Sequence, residues 1–413
     1  MAKKLTYLDF ELAVKKSLEF ANPTKLTQMV SIADALGRVL SKDIVCQKNL
    51  PAFDNSAMDG FAYDIKNKGK TLKIKQIIYA GDKGIKPNLA ENECYKIMTG
   101  AKVPSDANTI IPIEKCLHVN DDNVSIPEDE KKGSNLRLKG EELKVGSVIL
   151  QKGEVLNSSS IALLASQGIV MVEVFKKLNI AIVSTGNEIK EPWERSDDEE
   201  IYNCNSFALL ALLKENGFEA DYCGVVPDSL EKSISYIGDL KNYDVIITSG
   251  GISFGDADFM YEAFLKNGLQ TAFHGVNIKP GRPIMVGKMD KTFVMCLPGN
   301  PLTALVNMRI FGLQVLSKMQ GSRAIYHDVI LAKNLEEFKV KKGRVNIVLG
   351  NLKNGGFKAT QNNKYGSGMI TAFHKSNALL VSDEESSCFK VNQEVFVIGF
   401  DNKLLDKKIN ILN

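Results

Sequence analysis

The sequence lacks three features, each of which would point to a particular class of protein. Its seven cysteines are odd in number, widely spread and without a CxxC pair, so neither a disulfide framework nor a zinc knuckle is indicated. No segment reaches the roughly 18–20 consecutive apolar residues that span a bilayer. The net charge is only +3, with Lys and Glu interspersed, which does not favour a nucleic-acid groove. We therefore expect a cytoplasmic protein that binds neither membranes nor nucleic acid.

What the sequence does contain is the composition of a large globular protein. Apolar residues make up 44% and charged residues 24% of 413 residues, a length that suggests two or three domains. The N-terminal segment MAKKLTYLDFELAVKKSLEF has charges but no apolar core. It therefore predicts an amphipathic helix rather than a signal peptide.

Four regions differ in their sequence pattern. We predict a split helical region, formed by residues 1–45 and 141–175, in which apolar residues recur at roughly helical intervals. Residues 46–140, inserted between the two parts, hold short β-rich pieces broken by Gly, Pro and Asp-Asn turns. Residues 176–322 alternate strands with helices, and residues 323–413 have the pattern of a small β-barrel or sandwich.

The third region has the clearest pattern. KLNIAIV, EADYCGVV and YDVIIT are mostly apolar and are separated by the helical segments SFALLALLKENGF and SLEKSISYIGDL. Apolar strands that alternate with helices predict a parallel sheet with helices on both faces. Ligands bind such a sheet where its strands end, because the loops separate there and helix N-termini point into the crevice.

Three loops follow predicted strands at that edge. They are STGNE (184–188), a glycine-rich loop (249–258) and LPGNP (297–301), in which Asn300 would cap a helix that begins at Pro301. Each alone is an ordinary turn sequence. Together they place amides that can bind phosphate beside carboxylates, which suits a phosphorylated ligand bridged by a divalent metal. The chain has neither a Walker A sequence nor a GxGxxG fingerprint after a strand.

A fourth segment, AFHGVNIKPGRPIMVG, carries two cations on a turn stiffened by proline. Lys279 and Arg282 would form a compact anion site, although a solvated basic turn explains this segment equally well when it is taken alone. His274 by itself is better interpreted as a packed or surface histidine than as a ligand.

Seven segments together resemble one known family. DNSAMDGFA, IMTGAKVP, LRLKGEEL, STGNEI, TSGGISFGDADF, IKPGRPIMVG and LPGNPLTA occur in the order and spacing of the molybdopterin molybdenumtransferases, the MoeA family, which is related to the E domain of gephyrin. The resemblance covers about residues 5–400. It implies a multidomain α/β plus β fold: a three-layer α/β molybdopterin-binding domain, a β-rich inserted domain, a split helical domain and a C-terminal β-barrel.

The resemblance also implies an activity. Members of the family take adenylyl-molybdopterin and molybdate, place the metal on the dithiolene and release AMP, with Mg²⁺ or a similar divalent cation as cofactor. They are homodimers in which the cleft lies near the α/β domain of one subunit and the inserted domain of the other. A molybdopterin adenylyltransferase is the expected supplier of the substrate.

Site residues carry over from the family motif by motif. The resemblance implies four catalytic carboxylates, Asp59, Glu188, Asp228 and Asp258, of which the last three would hold the metal. Asp59 would face the cleft of the other subunit, and Asp54 would brace the turn. The substrate would bind at Thr99, Thr185, Gly186, Ser249, Gly250, Gly251, Pro298, Gly299 and Asn300. Molybdate would bind at Lys279, Arg282, Pro283, Thr303, Arg344 and Ser367.

The sequence departs from the family at three positions. Asn187 stands where Asp is frequent, Gly275 where some members have Lys, and Arg282 where Lys is frequent, so metal coordination and oxyanion geometry are both affected. Three alternatives stay open. The first is tungstate insertion, because tungstate matches molybdate in size and charge and could replace it as substrate. The second is a scaffold protein that keeps the fold without the activity, and the third is a nucleotide hydrolase.

Overall fold

The structure is a computed structural model that describes residues 7–227, 229–252 and 259–413. The chain divides into two compact units, each described here by itself. Residues 43–151 and 162–169 form one unit, and residues 1–42, 152–161 and 170–413 form the other. Among the described residues, no helix is both long and apolar enough to cross a membrane.

The N-terminal amphipathic helix is present as predicted. It runs from Phe10 to Phe20 and buries Phe10, Val14 and Leu18. Asp9 caps the helix by accepting a hydrogen bond from the backbone N–H of Leu12 (2.9 Å).

The prediction that helix continues through residue 45 is wrong. Thr27–Ser31 is a strand that pairs antiparallel with Met171–Phe175. Pro23 disfavours continuation of the helix, and the strand partner is remote in sequence, so the pairing outweighs a weak local periodicity. Leu36, which a helix would have buried, is 67% exposed.

The inserted unit is built on a six-stranded sheet. Alternate residues of its strand Gly60–Tyr63 pack into two hydrophobic clusters, with Ala62 on one face and Phe61 and Tyr63 on the other. In sheet order the strands are Thr109–Pro112, Gly60–Tyr63, Glu93–Ile97, Thr71–Ile78, Asn123–Ser125 and His118–Val119. Short strands at Ile44–Val45, Asn55–Ser56, Leu136–Arg137 and Val148–Leu150 pair outside that sheet.

The α/β region contains a second six-stranded sheet. Four of its strands are parallel, as the apolar runs predict, and Met285–Met289 runs antiparallel to its neighbours on both sides. In sheet order the strands are Asp221–Val226, Ile180–Thr185, Val245–Ser249, Thr292–Leu297, Met285–Met289 and Leu269–His274.

Helices cover both faces of this sheet and make it a three-layer domain. Ile247 packs with Leu212 and Leu305 in one hydrophobic cluster, whereas its strand neighbour Ile246 packs with Phe264 in another. Such alternation along a strand is what burial on both faces requires. Three of the helices are Cys204–Glu215, Leu230–Asp239 and Phe259–Lys266. A longer continuous run consists of Pro301–Asn307, the π-helical Met308–Gly312 and Leu313–Met319. A further helix, Ser158–Ser166, lies earlier in the chain.

The C-terminal strands close into a five-stranded barrel. Val345–Lys353 pairs with both Gly356–Ala359 and Ala378–Val381, which completes the ring. The other two strands are Ile330–Asn334 and Glu394–Gly399. The predicted combination of α/β domain, β-rich insertion and C-terminal barrel is therefore confirmed, while the finer boundaries of the four regions stay predictions.

Candidate functional site

The described parts of the three loops predicted at the strand ends, which for the glycine-rich loop are residues 249–252, meet at one edge of the α/β sheet. Ser249 lies beside Ser184 on one neighbouring strand and beside Leu297 on the other. Helices begin at Cys204 and Pro301 on the same side. The loops enclose a cleft of about 560 Å³, whose lining includes Thr185, Gly186, Glu188, Asn205, Ser249, Gly250, Gly251, Pro298, Gly299 and Asn300. All the predicted substrate-binding residues except Thr99 therefore line one cavity.

Two adjacent glycines let the cleft loops approach each other closely. Gly250 and Gly251 have φ values of +92° and +65°, a region that residues with a Cβ rarely adopt. A Cβ at Gly250 would lie 2.7 Å from Thr185 Oγ1, and one at Gly251 would lie 2.6 Å from Met260 Cγ. The backbone at the base of the cleft is therefore available to a ligand only because both residues are glycine.

Glu188 supplies the cleft with a carboxylate. Its Oε2 lies 2.7 Å from the position that a Cβ of Gly186 would occupy, so the side chain folds over that glycine. Among the described residues that line the cleft, none is Asp, Lys, Arg or His. Asp228 and Asp258, predicted as metal ligands with Glu188, lie outside the described residues. Their sequence neighbours Pro227 and Phe259 line the cleft.

A second cavity of about 670 Å³ adjoins the cleft and shares Pro283, Pro298 and Asn300 with it. Its described lining holds five cationic side chains and no carboxylate. The predicted molybdate residues all line it, together with Lys339, Lys341 and Asn363, which sequence reasoning missed. The cations are Lys279, Arg282, Lys339, Lys341 and Arg344.

The KPGRP turn is held rigidly between the helix layer and the barrel. Asn307, which is fully buried, donates a hydrogen bond from Nδ2 to the carbonyl oxygen of Gly281 (2.9 Å). Strand pairing sets Lys279 opposite Asn346 on the barrel, and the Arg282 guanidinium lies 4.4 Å from the centre of the Tyr7 ring. Both cations therefore project from a fixed backbone.

The other three cations come from the barrel edge. Buried Asn346 donates from Nδ2 to the carbonyl oxygens of Lys341 and Arg344 (3.0 Å each). Asn363 donates to the carbonyl oxygen of Lys339 (3.0 Å) and ends a run of three left-handed residues, 361–363, a conformation that Asn adopts more readily than most residues with a Cβ. These hydrogen bonds fix the backbone that carries the three cations.

Arg344 is a cation of this cavity whose surroundings disfavour its positive charge. Burial, and then the nearby charge of Arg282, lower its pKa. Its Nε is buried and has no hydrogen-bond partner among the described residues. Two positive groups close together, with an unused donor, form a site that an anion would complete.

The two predicted hydroxyl groups of the second cavity, those of Thr303 and Ser367, differ in whether the hydroxyl hydrogen is already used in a hydrogen bond. Thr303 is buried and donates its hydroxyl hydrogen to the carbonyl oxygen of Asn300 (2.7 Å), so that hydrogen is already used within the helix. Ser367 is exposed and accepts a hydrogen bond from Asn300 Nδ2 (3.0 Å). Asn300 occupies the predicted N-cap position, but its side chain makes no capping bond and turns to Ser367 instead.

Asp59 and Thr99 lie together in the inserted unit. Asp59 Oδ1 accepts hydrogen bonds from the hydroxyl (2.7 Å) and the backbone N–H (2.6 Å) of Thr99, and these bonds lower its pKa. The carboxylate is exposed. Asp54 accepts a hydrogen bond from the backbone N–H of Lys139 (2.7 Å), which is the bracing role expected of it.

Asn205 was missed because a single Asn near a helix start gives no distinctive pattern. Its Nδ2 lies 2.6 Å from Ser249 Oγ and 2.7 Å from the carbonyl oxygen of Gly299. Lys339 and Lys341 were missed because they lie in a strand-rich segment with many lysines. His274 is packed, as expected: burial lowers its pKa, and its Nε2 is 3.2 Å from the carbonyl oxygen of Ile252.

The geometry defines a class of protein: a multidomain protein whose α/β domain holds a cleft lined by backbone, hydroxyl and carboxylate groups, beside a second cavity lined by cations. Family models match almost the whole chain. They are the MoeA N-terminal region (domain I and II) over residues 8–168, the probable molybdopterin binding domain over 181–318, and the MoeA C-terminal region (domain IV) over 332–400.

Relatives match over similar lengths. The chain is 31% identical over 407 residues to the molybdopterin molybdenumtransferase of Haemophilus influenzae, covering 96% of this chain and 100% of the relative. It is 28% identical to that of Staphylococcus aureus, covering 92% and 93%. The crystal structure of the molybdopterin biosynthesis moeA protein from Pyrococcus horikoshii OT3 superposes with a TM-score of 0.83 at 27% identity, covering 95% and 100%. The chain belongs to the MoeA family, which confirms the resemblance.

Proposed function

We propose that this chain is a molybdopterin molybdenumtransferase that inserts molybdate into adenylyl-molybdopterin and releases AMP. One observation carries the proposal. Two adjoining cavities share Pro283, Pro298 and Asn300, and their charges differ: the first has Glu188 and no cation among its described residues, and the second has five cations and no carboxylate. A phosphorylated pterin and a tetrahedral dianion could therefore meet across one wall.

In the first cavity the substrate phosphates would lie against backbone and hydroxyl groups. The glycines at 250, 251 and 299 expose backbone there, and the helix that begins at Pro301 directs its N-terminus to the same place. Because no described lysine or arginine lines this cleft, these neutral groups would orient the phosphates without neutralising them.

The residues that line the cleft fit a divalent cation. Glu188 is the described carboxylate, and Asp228 and Asp258 adjoin the lining residues Pro227 and Phe259 in sequence. Carboxylate oxygens are the ligands that Mg²⁺ prefers, and these three residues would hold it. When bound, Mg²⁺ would neutralise charge on the phosphate oxygens. Among the described residues, no cluster of three or more potential ligands is present, so this ligand set is a proposal.

In the second cavity the five cations would bind molybdate. Lys279 and Arg282 on the KPGRP turn would contact it from one side and Arg344 from the barrel edge. Ser367, whose oxygen already accepts from Asn300, would donate its hydroxyl hydrogen. Cations on two sides would hold the dianion next to the wall shared with the pterin cleft.

The central test measures AMP. Purified protein is incubated with adenylyl-molybdopterin, Mg²⁺ and molybdate, and we expect AMP to appear in step with the molybdenum cofactor. Lys279→Ala should raise the molybdate concentration required, whereas Lys333→Ala, an exposed lysine that lines neither cavity, should not. Absence of AMP with the unaltered protein would overturn the proposal.

We further propose that the chain acts as a cytoplasmic homodimer supplied by a molybdopterin adenylyltransferase, with Asp59 of one subunit serving the cleft of the other. Complementation tests the shared site. Suppose that the Asp59→Asn and Glu188→Gln variants are each inactive. About half of the dimers formed at random from the two would be mixed, and one of the two sites in each mixed dimer would be intact. The mixture should then show about a quarter of wild-type activity. Lack of recovery, with dimer formation shown by ultracentrifugation, would place Asp59 elsewhere.

A further inference from the structure

One side chain joins the two innermost loops of the phosphate cleft. Asn205 lies in the first turn of the helix Cys204–Glu215, and its Nδ2 is within hydrogen-bond distance of both Ser249 Oγ (2.6 Å) and the carbonyl oxygen of Gly299 (2.7 Å). These two partners belong to different strand-end loops. Asn205 is therefore placed to control the geometry of both.

The chemistry of the partners fixes the orientation of the amide. A backbone carbonyl can only accept a hydrogen bond, so the side-chain atom that faces Gly299 must be the nitrogen. The same nitrogen also faces Ser249, and therefore the serine oxygen accepts as well. Each of the two amide hydrogens has one acceptor, and the Ser249 hydroxyl hydrogen is left to point elsewhere.

The surroundings of Ser249 limit where that hydrogen can go. The residue ends the strand Val245–Ser249, is only 4% exposed, and lines the cleft. Among the described residues, none accepts a hydrogen bond from its Oγ. The open direction is the cleft itself, beside the exposed backbone of Gly250.

We propose that Asn205 is a positioning residue that turns the Ser249 hydroxyl into a hydrogen-bond donor for a phosphate oxygen of the bound substrate. The inference rests on the proposed function and adds to it a residue outside the seven segments that carry the family resemblance. A serine with a freely rotating hydroxyl can donate or accept, but one whose oxygen is already an acceptor is prepared to donate. Such preorganisation favours an anion over a neutral group.

A different role for Asn205 would be purely structural, holding the Gly299 loop in place. The two roles predict different couplings with Ser249. If Asn205 acts through Ser249, the two residues are energetically coupled in ligand binding. If it only supports the loop, removing the Ser249 hydroxyl has the same effect whether or not Asn205 is intact.

The experiment is a double-mutant cycle with AMP as the probe, its dissociation constant measured by titration calorimetry with Mg²⁺ present. Ser249→Ala alone should weaken AMP binding about 10- to 100-fold, as expected for a hydrogen bond to a charged group. Asn205→Asp is isosteric and would accept the serine hydrogen instead of donating to its oxygen. In that background Ser249→Ala should change the dissociation constant less than about twofold.

A matched control separates geometry from charge. Tyr202→Glu adds a carboxylate to the lining of the same cleft but leaves Asn205 and its hydrogen bonds intact, so Ser249→Ala should keep its full effect there. Melting temperatures of all variants are recorded, and Asn205→Ala replaces Asn205→Asp in the cycle if the latter does not fold. Equal effects of Ser249→Ala in the Asn205 variant and in wild type would overturn the inference. No AMP binding and no AMP release by the unaltered protein would instead refute the proposed function.

Discussion

Replacing Arg344 should weaken molybdate binding without weakening the fold. In the structure the guanidinium is half-buried, burial and the charge of Arg282 both lower its pKa, and its Nε has no hydrogen-bond partner among the described residues. A positive charge that is partly buried beside a second cation is unfavourable. We therefore expect Arg344 to lower the stability of the ligand-free protein, as functional groups commonly do.

The magnitude follows from the bonds that a bound oxyanion would make. Hydrogen bonds between charged partners are worth about 1.5–3 kcal/mol, which corresponds to a roughly 10- to 100-fold change in affinity. Arg344→Gln removes the charge and the donor fork, and the half-saturating molybdate concentration should rise by about that factor. Arg344→Lys keeps the charge but loses Nε and the planar fork, so a smaller rise of about 3- to 10-fold is expected.

Two measurements on the same variants check this reasoning. Initial rates of AMP release are recorded against molybdate concentration, and thermal unfolding is followed without molybdate. Arg344→Gln should unfold at the same temperature as wild type or higher, because it removes a half-buried charge beside Arg282. Arg323→Gln, at an arginine that lines neither cavity, is the control. A lower melting temperature with an unchanged molybdate requirement would show that Arg344 is structural.

Three shorter predictions concern other parts of the chain. Gly250→Ala should reduce AMP release strongly and lower the free energy of unfolding by about 1–3 kcal/mol, because its Cβ would meet Thr185. Gly268→Ala is the control for backbone conformation alone, since Gly268 has a φ of +90° and no atom of the described residues lies near the position of its Cβ. Burial lowers the pKa of His327 from 6.5 to about 4, so the folded state holds it neutral, and stability is lost as pH falls from 6.5 towards 4. Urea unfolding should give about 2 kcal/mol less stability at pH 5 than at pH 7.5 from this group, a difference that His327→Asn should abolish. Lys341→Gln should raise the molybdate requirement at low ionic strength and have less effect at 0.5 M salt, since the side chain is exposed.

The sequence predicts the α/β sheet well because the residues of each strand are themselves enough to indicate that the strand is buried. Ile180–Thr185 and Val245–Ser249 are buried on both faces, so every position must be apolar or small, and the run can be recognised without its neighbours. The loops that follow contain glycines at positive φ, a local requirement that also shows in the sequence. These elements carry the cleft residues.

Features that depend on a remote partner could not be predicted. Thr27–Ser31 is a strand only because Met171–Phe175 pairs with it, and nothing in the five residues themselves requires that. Asn205 is similar, since its importance comes from Ser249 and Gly299, which are 44 and 94 residues away. Lys339 and Lys341 line the second, cationic cavity because the barrel edge pairs with Ile278–Lys279. Pattern reasoning has no access to such long-range contacts.

Under the proposed function, the separation of charge between the two cavities would decide which anion each one accepts. If lysines lined the phosphate cleft, molybdate could occupy it and compete with the pterin substrate. The described residues of the cleft instead present Glu188 and neutral groups, so under the proposed function a bare dianion would be repelled there and a phosphate would need an accompanying divalent cation. Molybdate in the second cavity would need no metal, because the five cations of its described lining would supply the charge. The wall that the two cavities share consists of Pro283, Pro298 and Asn300 and carries no charge. This neutral wall would separate a site that favours a metal-bound phosphate from one that favours a bare dianion.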